Sequence, residues 1–142
     1  MMKEAQAAAS QEAKKLGKTK PLIFGVTVLT SLAKPDLLAA GIAGSPEAQV
    51  KRLASLARKA GLDAVVASGL EIKTVRKAIG RNMFIGVPGI RPAEERKKDD
   101  QKRVMTPEAA IKAGADYLIV GRPILEAEDR VQTILKIARA FQ

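Results

Sequence analysis

The chain of 142 residues has room for one domain, 1–142, and its 46% hydrophobic and 28% charged composition is that of a globular protein. It contains no cysteine and no histidine, which excludes disulfides and thiolate metal sites, removes the commonest general base and zinc ligand, and fits a cytoplasmic setting. The net charge of +10 is spread along helices with only 3% aromatics, so the expectation is a small anionic ligand, with no nucleic acid and no membrane-spanning run.

In chain order, residues 3–16 are alanine-rich and predict a helix, with Ala5, Ala9 and Leu16 on one face and Gly17 as its stop. Residues 21–28 read as a first strand, continuous in polarity as in a parallel sheet covered on both faces. Its end brings hydroxyls at Thr30 and Ser31, and a short helical turn is expected around residues 36–40. Ser45-Pro46 starts a longer helix, with Val50, Leu53, Ala54, Ala57 and Ala60 at helical spacing and Gly61 as its close.

A second strand follows at residues 64–67, ending at Ser68, then a helix carrying Ile72, Val75 and Ile79 inward. The third strand, residues 83–87, leaves through Pro88-Gly89-Ile90-Arg91-Pro92. Residues 91–103 are dense in charge and predict a solvated loop. Thr106-Pro107-Glu108 caps the next helix, with Ile111 inward and Gly114 as its stop. The fourth strand, Tyr117-Leu118-Ile119-Val120, reads as buried on both faces and ends at Gly121-Arg122-Pro123. A last helix over roughly residues 126–141 is expected to pack Val131, Ile134, Leu135, Ala138 and Phe141.

Strands alternating with helices predict an α/β fold with a parallel sheet and right-handed crossovers. The stretch Lys59-Ala60-Gly61-Leu62-Asp63-Ala64-Val65-Val66 is echoed by Lys112-Ala113-Gly114-Ala115-Asp116-Tyr117-Leu118-Ile119. Repetition of one βα unit favours a (β/α)8 TIM-barrel type, of which this chain supplies about four units preceded by a helix, a half-barrel. Such a piece leaves two edges and an apolar inner face to be covered by a second copy (a homodimer) or by a complementing N-terminal half.

In this architecture chemistry sits where strands end. Those positions hold Thr30, Ser68, Pro88, Gly89, Arg91, Gly121 and Arg122, with Gln101 available from the charged loop. Two arginines offer planar forks for an oxyanion, Gly121 lets a backbone approach it, and Pro123 opens a helix whose N–H groups would face it. The alternative is a set of ordinary turn residues with solvated arginines. No lysine–carboxylate cluster sits at a strand end, and Asp63 and Asp116 precede their strands, on the opposite face. The pattern predicts a grip for a phosphorylated ligand and no catalytic residue.

Four motifs carry a resemblance: Val26-Thr27-Val28-Leu29-Thr30-Ser31, Val87-Pro88-Gly89-Ile90-Arg91-Pro92, Asp100-Gln101-Lys102-Arg103-Val104-Met105-Thr106-Pro107 and Tyr117-Leu118-Ile119-Val120-Gly121-Arg122-Pro123-Ile124. In order and spacing they resemble orotidine 5′-phosphate decarboxylase of the bacterial type, over nearly the whole chain. The resemblance implies a (β/α)8 barrel and cofactor-free decarboxylation of orotidine monophosphate to uridine monophosphate (UMP).

It further implies that Thr30 contacts the nucleotide near its ribose and base, Ser68 hydrogen-bonds the pyrimidine, and Pro88 forms part of the base pocket. Arg91, Gln101, Gly121 and Arg122 would hold the phosphate, with residues 92–103 as a mobile lid whose closure phosphate binding helps to drive. The family's Asp-Lys-Asp-x-x-Asp cluster has no match here, so the likeness is to the C-terminal half, expected to bind UMP without turnover. The stretch Glu94-Glu95-Arg96-Lys97-Lys98-Asp99-Asp100 also stands where family members usually carry glycines. A related sugar-phosphate decarboxylase or aldolase, a self-associating half-barrel scaffold and a basic nucleic-acid binder are the competing expectations.

Overall fold

A computed structural model describes residues 1–92 and 103–141. Helix α1 (Met2–Lys15) precedes strand β1 (Phe24–Val26), followed by α2 (Lys34–Ala39), α3 (Pro46–Lys59) and β2 (Ala64–Val66). A 3-10 turn (Gly69–Glu71) leads into α4 (Ile72–Ile79), then β3 (Phe84–Val87), α5 (Pro107–Ala113) and β4 (Tyr117–Leu118). The one-turn α6 (Arg122–Leu125), α7 (Arg130–Ala138) and a 3-10 turn (Arg139–Phe141) complete the described order.

The four strands form one sheet in the order β1-β2-β3-β4, with every neighbouring pair parallel. Sequential order with right-handed crossovers places successive helices on one face, as in a barrel, whereas a doubly wound sheet reverses its order at a switch point. The fold class expected from the βα repetition is thus the one observed.

The helix-covered face holds the core. Val65, Ile85 and Val87 are fully buried, together with Val50 and Ala54 of α3 and Val75 of α4. At Gly25 a Cβ would lie 2.8 Å from Leu62 Cδ1 and 3.3 Å from Ala57 Cβ, so the missing side chain lets α3 lie close against β1. Alternation along the strands sends Phe24, Val26, Phe84, Gly86 and Tyr117 to the other, concave face. There Tyr117 meets Phe24 and Phe84 edge-on, with ring centroids 5.6 and 5.5 Å apart.

That concave face corrects the expectation of strands buried on both sides. Val26 is 60% exposed, and Tyr117 and Ile119 are about two-fifths exposed, because no described residue covers them. A continuous apolar run favours cover on both faces of a strand, and among the described residues the helix side alone is covered. The last helix also differs from expectation. It begins at Arg130, capped by Asp129 Oδ1 accepting from Gln132 N, and buries Thr133 and Ile137. Val131, Ile134, Leu135, Ala138 and Phe141, expected to pack inward, lie on exposed stripes. In α1 the buried residue is Ala13, while Ala5 and Leu16 face solvent.

The echoed aspartates do equivalent work at the N-terminal edge of the sheet. Asp63 Oδ2 accepts from Ile23 N at 2.8 Å and Lys20 Nζ at 2.6 Å. Asp116 Oδ2 accepts from Ile85 N at 2.7 Å and Arg76 Nη2 at 2.6 Å. Each carboxylate ties its own strand to an amide of the strand before it, and each follows a positive-φ glycine, Gly61 or Gly114. Burial tends to raise the Asp63 carboxyl, but hydrogen bonds from Lys20, Ile23 N and Gln6 outweigh it and hold the group below its ordinary value. Among the described residues, no helix is long and apolar enough to cross a membrane.

Candidate functional site

All four strand C-termini emerge at one edge of the parallel sheet, and there a groove of about 570 Å³ opens onto the concave face. Thr30 and Ser31 line it after β1, Pro88, Gly89 and Arg91 after β3, and Gly121 and Arg122 after β4. Val26, Val28, Leu29, Val66 and Ile119 supply an apolar floor. Five of the expected site residues, Thr30, Pro88, Arg91, Gly121 and Arg122, therefore share one groove. An apolar bed with a few convergent polar groups at a barrel's C-terminal edge is the ordinary form of a small-ligand site. Among the described residues, the lining contains two guanidinium groups and neither a lysine nor a carboxylate.

Arg91 and Arg122 also border a second cleft, of about 450 Å³, formed with Glu126, Glu128, Asp129, Gln132 and Lys136. Its lining sets three carboxylates beside three cations, Arg91, Arg122 and Lys136, whereas the apolar groove carries the two arginines as its charged residues among the described lining. Arg91 is buried, and its Nη1 donates to the Ile90 carbonyl at 2.8 Å. Arg122 is exposed at the start of α6.

Ser68 stands apart from this lining. It is fully buried, and its Oγ accepts from Leu70 N at 3.2 Å to cap the 3-10 turn. Gln101 and most of the expected lid over 92–103 lie outside the described residues. Gly121 has a negative φ of −116°, outside the left-handed region, and among the described residues no atom beyond its chain neighbours lies within 4 Å of where its Cβ would be. What glycine contributes there is open surface facing the groove. The helix after it does not present the row of N–H groups expected, since the amides of Ile124 and Leu125 both return to the Gly121 carbonyl.

Arg103 departs from the solvated loop that its charged stretch predicts: its side chain is buried, pairing through Nη1 with Glu71 Oε1. Its Nη2 donates to the carbonyls of Val28 at 3.2 Å and Leu29 at 2.9 Å, at the end of β1. Charge density marks a segment as solvated only on average. The available signal was Glu71, a lone carboxylate between Leu70 and Ile72, which requires a cation if it is buried.

Comparison with known proteins accounts for this arrangement. The profile of the family described as orotidine 5′-phosphate decarboxylase / HUMPS matches residues 1–137. The chain is 50% identical over 121 residues to orotidine 5′-phosphate decarboxylase of Actinobacillus succinogenes, covering 85% of this chain and 52% of that protein. It is 49% identical over 131 residues to the enzyme of the same name from Haemophilus influenzae strain PittEE, covering 89% of this chain and 56% of that protein. The chain thus spans about half the length of the curated relatives it matches.

Among solved structures, orotidine 5′-phosphate decarboxylase from Lactobacillus acidophilus is similar, with a TM-score of 0.72 and 33% identity, over 89% of this chain and 51% of that one. The Methanocaldococcus jannaschii orotidine 5′-monophosphate decarboxylase, complexed with inhibitor BMP, shares the fold at a TM-score of 0.61 and 20% identity, over 97% of this chain and 56% of that one. These neighbours are TIM barrels, and the four-stranded sheet corresponds to part of such a barrel. On its motifs, its sheet order and these likenesses together, the chain belongs to the orotidine 5′-phosphate decarboxylase / HUMPS family.

Proposed function

We propose that this chain is the phosphate- and nucleotide-binding part of an orotidine 5′-phosphate decarboxylase, the enzyme of pyrimidine biosynthesis that converts orotidine monophosphate to UMP and carbon dioxide. The observation that carries the reading is the convergence of Arg91 and Arg122 beside an apolar groove that also holds Thr30 and Pro88. The two guanidinium groups take the phosphate dianion, each able to form paired charge-assisted hydrogen bonds. Gly121 leaves room for the phosphate oxygens. Thr30 contacts the ribose and Pro88 flanks the base. Ser68, fully buried outside the groove lining with its Oγ engaged by Leu70 N, meets the pyrimidine only if the turn after it opens.

Loss of carbon dioxide leaves an electron pair on carbon that must be stabilised and then protonated. Among the described residues the groove lining has neither a lysine nor a carboxylate to supply the cation or a strong proton donor. We therefore infer that the chain on its own binds nucleotide without turnover, and that the missing lysine and aspartates come from elsewhere. Titration with UMP tests the binding. Arg122→Ala is expected to weaken it about 10- to 100-fold, the value of one or two charge-assisted hydrogen bonds. No binding by the parent chain, or equal binding by the variant, would refute the reading. An assay for UMP formation, with and without a polypeptide supplying lysine and carboxylates, tests the dependence on a second half.

The open concave face favours a second reading, a half-barrel scaffold that closes by pairing with another copy. Sedimentation velocity decides it, because a stable monomer with that apolar face solvated would rule pairing out.

A further inference from the structure

Arg103 and Glu71 lie outside the groove lining, yet both are more than nine-tenths buried. Among the described residues, Glu71 Oε2 and Arg103 Nε lack hydrogen-bond partners, so the pair is incompletely satisfied. A buried ion pair of that kind is a poor source of stability. Its desolvation offsets its attraction, and apolar side chains of similar volume often serve as well or better.

What the pair does hold is position. The Arg103 fork reaches the Val28 and Leu29 carbonyls, directly before Thr30. Its other arm reaches Glu71, in the turn that follows β2 and Ser68. Two residues on, Met105 exchanges backbone hydrogen bonds with the third strand's loop, Arg91 N donating to Met105 O at 2.9 Å and Met105 N to Gly89 O at 3.1 Å. Met105 also packs where Gly69 has no side chain, since a Cβ there would lie 2.8 Å from its Sδ. The segment 103–105 is therefore pinned to three strand ends at once.

We propose that the Arg103–Glu71 pair is a positioning clasp for the groove, setting the Thr30 side against the Arg91 side at the spacing a nucleotide monophosphate requires. Arg103 and Glu71 act through the backbone of their neighbours and touch no ligand themselves. The proposal rests on the nucleotide-binding reading of the groove, and its test separates the two.

The volume-matched double variant Glu71→Leu/Arg103→Met is compared with the parent chain and with Arg122→Ala. Three quantities are read: stability to denaturant, affinity for UMP, and exchange of the Arg91 and Met105 amides, with the Ala64 amide as internal control. The clasp predicts stability equal to or above the parent, affinity lower by about tenfold, the scale of one displaced charged hydrogen bond, and faster exchange at Arg91 and Met105 alone. Arg103→Lys, which keeps the charge but loses the fork to two carbonyls, is expected to lose affinity at parental stability.

The proposal is overturned if UMP affinity stays within about twofold of the parent in both variants, or falls only in proportion to the unfolded fraction. Unchanged exchange at Arg91 and Met105 overturns it as well. A parent chain that does not bind UMP refutes the nucleotide reading instead, and the exchange comparison then decides the clasp.

Discussion

Asp116 provides the sharpest test of how the repeated βα unit is built. Its Oδ2 accepts from the backbone N–H of Ile85, a fully buried strand residue, and from Arg76 Nη2. Truncation in Asp116→Ala leaves the Ile85 amide without its acceptor, a loss of about 1–3 kcal/mol for a buried donor. It also removes the ion pair with Arg76, whose side chains are 27% and 34% exposed, so solvent screening keeps that part to about 0.2–1 kcal/mol. Arg76 remains held by the carbonyls of Gly80 and Met83, which limits further collapse.

The expected total is about 2–3 kcal/mol. For a domain of this size that corresponds to a Tm lowered by roughly 7–10 °C. Asp116→Asn keeps an oxygen for Ile85 N while giving up the charge, so it should lower Tm by only about 3 °C. Calorimetry or circular dichroism melting of the three proteins makes the comparison. A Tm for Asp116→Ala within about 3 °C of the parent, or equal losses for the two variants, would refute the assignment of the backbone hydrogen bond as the main contributor.

Other outcomes follow from the same geometry. Gly121→Ala should bind UMP more weakly in a titration, because among the described residues open space surrounds the new methyl and that methyl occupies the phosphate's approach. Gly25→Val should cost about 1–3 kcal/mol in denaturant unfolding, since its Cβ would lie 2.8 Å from Leu62 Cδ1 and 3.3 Å from Ala57 Cβ. The depressed Asp63 carboxyl contributes stability that is fully present above its unfolded pKa of about 3.9 and is lost as pH falls through its lower folded value. The stability gap between the parent and Asp63→Asn should therefore be constant near neutrality and shrink on acidification, as measured by denaturant unfolding across pH. Gly69→Ala should displace Met105, visible as faster exchange of the Arg91 amide.

Much of the site is readable because strand ends are local signals. A continuous apolar run that stops at Gly121-Arg122-Pro123 or Pro88-Gly89-Ile90-Arg91 places its polar residues at the sheet's C-terminal edge before any contact is known. The groove confirms that shared edge for Thr30, Pro88, Arg91, Gly121 and Arg122. Ser68 follows the same local rule but points its oxygen into a cap, because the chain turns into a 3-10 helix within two residues. Arg103 defeats composition altogether. It lies 32 residues from Glu71 and 74 from Leu29, so its burial depends on three loops meeting, which no local window encodes.

The sequence by itself determined the βα alternation, the parallel sheet, the aspartate and glycine repeated before β2 and β4, and the edge at which the polar strand-end residues gather. These follow from periodicity, caps and breakers, which act over a few residues. Tertiary structure alone decided which apolar faces are covered: the helix side of the sheet is packed, while Val26, Tyr117, Ile119 and the outer stripes of α7 are not. It also decided that Arg103 is buried, since a charge leaves water only where fixed partners from distant segments are assembled to receive it.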